Sequence, residues 1–159
     1  MVVCKKMKRV IVSGGFDPVH IGHVRLISDA AKLGDFLIIL MNNDNWIRLK
    51  KKKAFMPESE RKEILENIKG VDEVILTSHK ENTDDISVCH DLEELRKIYS
   101  DDELIFAKGG DRLADNIPEV KTCKELNIRM AFNVGGGKIQ SSSWLIDRAN
   151  RAKNNQKDN

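Results

Sequence analysis

His20 and His23 stand three residues apart in the segment Gly14-Gly15-Phe16-Asp17-Pro18-Val19-His20-Ile21-Gly22-His23. Gly14 and Gly15 let backbone amides come close to a ligand, and Gly22 removes a side chain between the two imidazoles. If a helix begins here, its N-terminus adds a positive partial charge that favours an anion. Two imidazoles three apart across a helix start can face one cavity and donate to phosphoryl oxygens whose charge grows in a transition state. That is the chemistry of a phosphate cradle. A metal pair would need further ligands, and the remaining histidines, His79 and His90, fall in segments away from this strand end, so no metal site is expected. No GxGxxG follows the first strand, and Gly137-Lys138 is followed by Ile139 instead of Ser or Thr, which leaves out the Rossmann fingerprint and the Walker A loop.

The segment that ends in Gly14-Gly15 is Arg9-Val-Ile-Val-Ser13, β-branched and apolar on both faces, which reads as a buried strand of a parallel sheet. Ile21, Val24, Ile27, Ala30 and Ala31 recur at helical spacing after it, with Gly34 read as the residue that closes the helix. Residues 36–41 form a second apolar strand, and the polar run Asn42-Asn43-Asp44-Asn45 leads into a basic loop from Trp46 to Phe55. Pro57-Glu58-Ser59-Glu60 opens a helix with proline and acids in its first turn, and Gly70 ends that segment. Further strands are expected at 73–76, 104–107 and 128–134, and further helices late in 86–100, at 117–126 and at 142–151. Strands alternating with helices predict a single Rossmann-like, doubly wound α/β domain with a five-stranded parallel sheet over residues 1–152, followed by a disordered polar tail at 153–159. Ligands bind such sheets at the carboxyl ends of the strands, near the reversal of strand order. Four segments fall there: 14–23, 42–53, 108–111 and 135–143.

A chain of 159 residues points to one domain, long enough to hold a core without a disulfide or structural metal. With 27 basic and 25 acidic residues its net charge is only +2, so binding to nucleic acid by bulk charge is not expected and any anion site must be local. Cys4, Cys89 and Cys123 are odd in number and form no CxxC pair, which fits a reducing cytoplasm. The longest apolar run, residues 36–41, is far short of the roughly 20 residues that span a bilayer, and residues 1–8 lack the apolar stretch of a secretory signal. A cytoplasmic protein that does not bind membranes is expected.

His20-Ile21-Gly22-His23 after Gly-Gly-Phe-Asp resembles the HxGH signature of the cytidylyltransferase-like nucleotidyltransferase superfamily, and the resemblance extends over nearly the whole chain. A lysine-rich loop, the Pro57 to Arg61 helix start, Lys108-Gly109-Gly110-Asp111 and Ser141-Ser142-Ser143 follow in the order that family shows. The nearest likeness is to small glycerol-phosphate and ethanolamine-phosphate cytidylyltransferases and to the heptose-1-phosphate adenylyltransferase domain. The resemblance implies transfer of CMP or AMP from CTP or ATP to the phosphate of a sugar, polyol or amino-alcohol phosphate. Pyrophosphate leaves, and Mg²⁺ arrives mainly through the triphosphate. It also implies a homodimer.

By the same resemblance, His20 and His23 bind the triphosphate and stabilise the pentacoordinate α-phosphorus. Backbone amides near Gly15 and Phe16 meet the nucleotide, and Asp17 orders that loop. Lys50 and Lys53 are the lysines favoured to close over the phosphates, the rest of the run being a solvated loop. Ser141, Ser142 and Ser143 match the run whose hydroxyls and amides bind the β and γ phosphates, although one serine would suffice as a helix cap. Gly136 stands where the glycerol-phosphate enzymes carry an arginine, which weakens the case for CTP. Lys108-Gly109-Gly110-Asp111 is closer to the adenylyltransferase version. Gly109 and Gly110 would let backbone face a base, and Asp111 would accept from a ribose hydroxyl or an exocyclic amine, or the segment is a plain β-turn. Arg61 is either an acceptor contact or an exposed partner of Glu58. Asn42, Asn43 and Trp46, after the second strand, are the other acceptor-binding candidates, Trp46 as a pocket wall or as simple packing. His79 and His90 are expected at the surface, and the cysteines are given no role.

Two other readings share these residues. A class I aminoacyl-tRNA synthetase fragment would use the same His-Ile-Gly-His, but there is no KMSKS-like motif and no room for an anticodon-binding domain. A nucleotide-binding sensor without catalysis would have no need of His20, His23 and Ser141 to Ser143 together.

Overall fold

The computed structural model describes residues 5–110 and 117–156. Five parallel strands, β1 (Lys8–Gly14), β2 (Phe36–Met41), β3 (Glu73–Leu76), β4 (Glu103–Ala107) and β5 (Arg129–Ala131), form one sheet in the order β3-β2-β1-β4-β5. The helices are α1 (Ile21–Ala31), α2 (Asp44–Lys51), α3 (Glu58–Glu66), α4 (Cys89–Ile98), α5 (Glu119–Glu125) and α6 (Ser142–Asn155). This is the doubly wound α/β architecture that the alternation of apolar strands and amphipathic helices predicts.

The strand alternation explains the two layers. Val10, Val12, Leu37, Ile39 and Met41 face Ile27 and Ala30 of α1 and Leu65 of α3. Ile11, Ile38, Leu40, Leu104 and Phe106 face Leu92 and Leu95 of α4 and Cys123 of α5. Successive residues of a strand point to opposite faces, so a strand covered on both sides must be apolar throughout. Strand order reverses between β1 and β4, where Val12 pairs with Ala107, so Ser13, Gly14 and Lys108 mark the switch point at the carboxyl edge.

Four local expectations are corrected. The basic loop after residue 46 is largely α2: the Asn43 side chain caps it by accepting from the Trp46 N–H, Ile47 is fully buried, and lysine, arginine and leucine are good helix formers. Gly34 is no left-handed cap, since α1 ends at Lys32; a Cβ there would lie 2.6 Å from the Lys8 carbonyl oxygen, so the glycine admits the β1 backbone. β5 keeps three residues where seven were expected, because Asn133, Gly135 and Gly136 take positive φ and turn the chain away. α6 runs on to Asn155, into the expected tail, with no proline or glycine to stop it.

Candidate active site

The turn from β1 into α1 is the centre of the site. Phe16 takes a φ of +52° and buries its ring. Asp17 is 1% exposed, and its carboxylate accepts the backbone N–H of Phe55 at 2.8 Å and of Met56 at 2.6 Å. It therefore ties this turn to the chain that follows α2. Ser142 at the start of α6 donates its hydroxyl to the Pro18 carbonyl at 2.8 Å.

His20 and His23 are fixed in tautomer by the helix they start. The Gly22 N–H donates to His20 Nδ1 at 3.0 Å, and the His20 N–H donates to His23 Nδ1 at 3.2 Å. Each Nδ1 is an acceptor, so in the neutral ring the proton is on Nε2, on the far side of the ring from the backbone. The rings stack at 3.8 Å between centroids, and His23 also meets the Phe16 ring at 4.7 Å. Burial, then His20, then Lys51 push His23 down to about 3. Burial and then Lys51 lower His20. Two neutral imidazoles at pH 7 cannot act as acids of ordinary strength, but their Nε2–H groups can donate to a growing negative charge. A Cβ on Gly22 would come within 2.9 Å of His20 Cε1, so any side chain between the histidines would displace the His20 ring.

Both histidines line a cavity of about 580 Å³ at the carboxyl edge of the sheet. On the β4–β5 side its wall is Lys108, Gly109, Gly110, Val134 and Gly135 to Gly137. On the β2 side it is Asn42, Trp46, Ile86 and Val88. Gly14 and Gly15 lie between the two. Lys108 is a functional candidate that sequence reasoning passed over. It is 8% exposed at the switch point and donates from Nζ to Ser13 Oγ at 3.2 Å. Its position directly after β4 was the available signal.

Several expected site residues take other places. Lys50, Lys51 and Lys53 are all exposed, and Lys50 Nζ lies 5.9 Å from the Trp46 ring. The lysine whose charge reaches both histidines is Lys51, which donates to the Asp17 carbonyl at 3.0 Å. Once α2 is a helix, Lys51 follows from Ile47, one turn earlier on the buried side. Arg61 is completely buried and is neither an acceptor contact nor a partner of Glu58. Its Nε donates to the Met56 carbonyl, Nη1 to those of Gly15 and Asn42, and Nη2 to Asp44 Oδ1. Asn43 is likewise engaged, capping α2 and donating from Nδ2 to the Thr77 and His79 carbonyls. Trp46 is a wall residue held by its indole N–H on the Ile86 carbonyl at 2.9 Å.

Ser141 accepts the Trp144 N–H as the cap of α6, and its hydroxyl lies 3.1 Å from that of Ser143. Gln140, just before them, is the residue of this segment that lines the cavity beside Lys138 and Ile139. Asp111 and Cys4 lie outside the described residues. His79 is buried, not superficial, because Thr77 Oγ1 and the Ser87 carbonyl satisfy its two nitrogens. Cys123 is a core residue whose thiol burial pushes up to about 12. Among the described residues no group of three or more His, Cys, Asp or Glu could hold a metal, and no helix is long and apolar enough to cross a membrane.

A stacked histidine pair thus caps the first helix at the switch point of a parallel sheet, the place where doubly wound folds bind their ligands. The chain belongs to the cytidylyltransferase-like family, whose model matches residues 11–149. It is 39% identical over 87 residues to a glycerol-3-phosphate cytidylyltransferase of Bacillus subtilis, a match covering 55% of this chain and 67% of that protein. It is 43% identical over 70 residues to an FAD synthase of Ferroglobus placidus, covering 44% of this chain and 45% of that one. With an FAD synthase of Thermococcus onnurineus it shares 34% identity over 119 residues, 64% of this chain and 79% of the relative. The match thus spans about half the length of the Ferroglobus relative and two thirds of the Bacillus one. A lipopolysaccharide core biosynthesis protein from Thermoplasma volcanium, known as a crystal structure, shares the fold with a TM-score of 0.60 at 23% identity, over 80% of this chain and 96% of that one.

Proposed function

We propose that this chain transfers a nucleotidyl group from a nucleoside triphosphate to the phosphate of a small phosphorylated metabolite. The observation that carries the reading is the histidine pair, whose Nδ1 atoms are both held by backbone N–H groups. An acceptor phosphate oxygen attacks the α-phosphorus, the bond from that phosphorus to the bridging oxygen breaks, and pyrophosphate leaves. The dianionic phosphate is itself the nucleophile and needs no protein base. Positioning and charge stabilisation are what this class of reaction asks of a protein, and neutral Nε2–H donors with a nearby ammonium provide both. Lys51, parked on the Asp17 carbonyl beside the histidines, is the cation we assign to the phosphates in place of Lys50 and Lys53.

The glycine-lined β4–β5 wall suits the nucleotide, and the β2 wall, with Asn42 and Trp46, suits the acceptor. Gly109 and Gly110 supply backbone to the base there. Mg²⁺ fits as part of the triphosphate substrate. The carboxylate nearest the turn, Asp17, is already bonded to two backbone N–H groups, so it is not offered to a metal. The start of α6, with Ser141 to Ser143, lies against the turn through Ser142 and supplies amides and hydroxyls to the outer phosphates.

CTP and ATP both fit this reading, since the relatives named above are a cytidylyltransferase and two FAD synthases. A melting-temperature panel of CTP, ATP, GTP and UTP with Mg²⁺ separates them, because a ligand that binds only the folded state raises the melting point. A shift with CTP alone or ATP alone names the donor, and no shift with any triphosphate overturns the reading. A cytoplasmic location belongs to the same proposal. So does a homodimer, which sedimentation tests directly: a monomer at working concentration retires it.

A further inference from the structure

We infer that the side-chain amide of Asn42 reads the acceptor, selecting a phosphorylated compound with a neutral hydroxyl on its carbon chain; this rests on the nucleotidyl-transfer reading above. Asn42 lies at the carboxyl end of β2, lines the cavity and is 5% exposed. Its Oδ1 is buried without a hydrogen-bond partner among the described residues. A buried polar atom left unpaired is costly, and in a cavity wall it marks where a ligand atom completes the set.

The residue cannot relieve that cost by moving its backbone. The Asn42 N–H donates to the Gly14 carbonyl at 2.8 Å, and the Asn42 carbonyl accepts from buried Arg61 at 2.7 Å. Only the amide can turn. A half-turn about its last torsion exchanges the oxygen and the nitrogen, and a hydroxyl, which both donates and accepts, pairs with either. Asn43, one residue on, has its amide engaged by protein on both atoms, so the two neighbours are not interchangeable.

The surroundings favour a hydroxyl over an ammonium group. Lys108 and Lys138 line the same cavity, and Glu119, the carboxylate in that wall, accepts the Val88 N–H at the start of α4. An ammonium group would call for a carboxylate, and the one in the described lining is engaged at the start of α4, whereas a hydroxyl is satisfied by the amide itself.

The test measures pyrophosphate release by the whole chain with Mg–CTP and Mg–ATP. The acceptors are glycerol 3-phosphate, its two singly deoxygenated analogues, mannose 1-phosphate, FMN and ethanolamine phosphate. The wild type is expected to favour a hydroxylated acceptor over its deoxy analogue by about ten- to a hundredfold in kcat/KM, the cost of one buried polar group left unpaired. Asn42→Leu should bring that ratio near unity through a higher acceptor KM, and Asn42→Ser should restore part of it. The melting shift caused by the triphosphate should survive in both, which also shows that they fold. A wild-type ratio near unity, equal loss for hydroxylated and deoxy acceptors in Asn42→Leu, or a preference for ethanolamine phosphate would each overturn the inference while leaving nucleotidyl transfer standing. Absence of pyrophosphate release with every acceptor would overturn the transfer reading itself.

Discussion

The turn that carries the two histidines is gripped very differently on its two flanks. Toward β2 and α3, Asp17 holds the Phe55 and Met56 amides, Lys51 holds the Asp17 carbonyl, and buried Arg61 binds the Gly15, Asn42 and Met56 carbonyls and the Asp44 carboxylate. Toward α6, among the described residues, the Ser142 hydroxyl on the Pro18 carbonyl makes the side-chain connection, and α6 buries none of its residues. The first flank carries its order in the folded protein before any ligand arrives. The second has few buried apolar contacts, the property of elements that open at low cost, so a bound triphosphate has more to order there. The β2 flank is therefore preformed, and the α6 flank is the one left for a ligand to order.

Removing Arg61 tests the stiff flank and carries the largest expected effect. Arg61→Ala leaves Asp44 and several buried carbonyls unpaired and should destabilise the fold by about 3–5 kcal/mol in a denaturant titration. His23→Ala, at the turn itself, should lower turnover by about 10²–10³-fold, the cost of one donor to a developing oxyanion, with the circular dichroism spectrum unchanged. Gly22→Ala adds a methyl 2.9 Å from the His20 ring, so it should swing that donor away and cost about tenfold in turnover. Its melting point should stay close to that of the wild type, since alanine is the better helix former. Ser142→Ala tests the loose flank. It should cost only about 0.5–1.5 kcal/mol in stability, with its main effect on triphosphate affinity; a stability loss as large as that of Arg61→Ala would erase the contrast between the flanks.

The histidine pair adds a pH-dependent comparison. Unfolded His23 takes up a proton near its ordinary value of 6.5, but in the folded chain burial delays this to about 3. The unfolded state thus binds more protons between those values, and the stability His23 contributes above 6.5 is lost progressively as pH falls toward 3. Lowered His20 acts in the same direction. His23→Gln should flatten this acid limb in a series of melts from pH 7 to pH 4.

The sheet was legible because β1, β2 and β4 are continuous apolar runs, and a parallel strand covered on both faces has no other way to look. His20, Gly22 and His23 were legible because the residues that determine their geometry are neighbours in sequence. Arg61 and Lys51 were not. Arg61 is buried by groups as far as 46 positions away, so nothing local distinguishes it from an exposed helix arginine. Lys51 stands in a run of four lysines, and only its place on α2 separates it from the others. The same holds for Asn42 and Asn43, identical residues side by side, one engaged by the β3–α4 chain and the other left open by it.

The switch point has a kinetic consequence for folding. Ser13 and Lys108, hydrogen-bonded across it, are 95 positions apart in the chain, and β1 must meet β4 over nearly the same separation. Closing so long a loop is slow and delivers its contacts late, after the β1–β2 pair and the helices between them have had time to assemble. A nascent or nicked chain that lacks β4 has the histidines but not the second half of the cavity. The cavity beside the histidines therefore waits on the completed sheet.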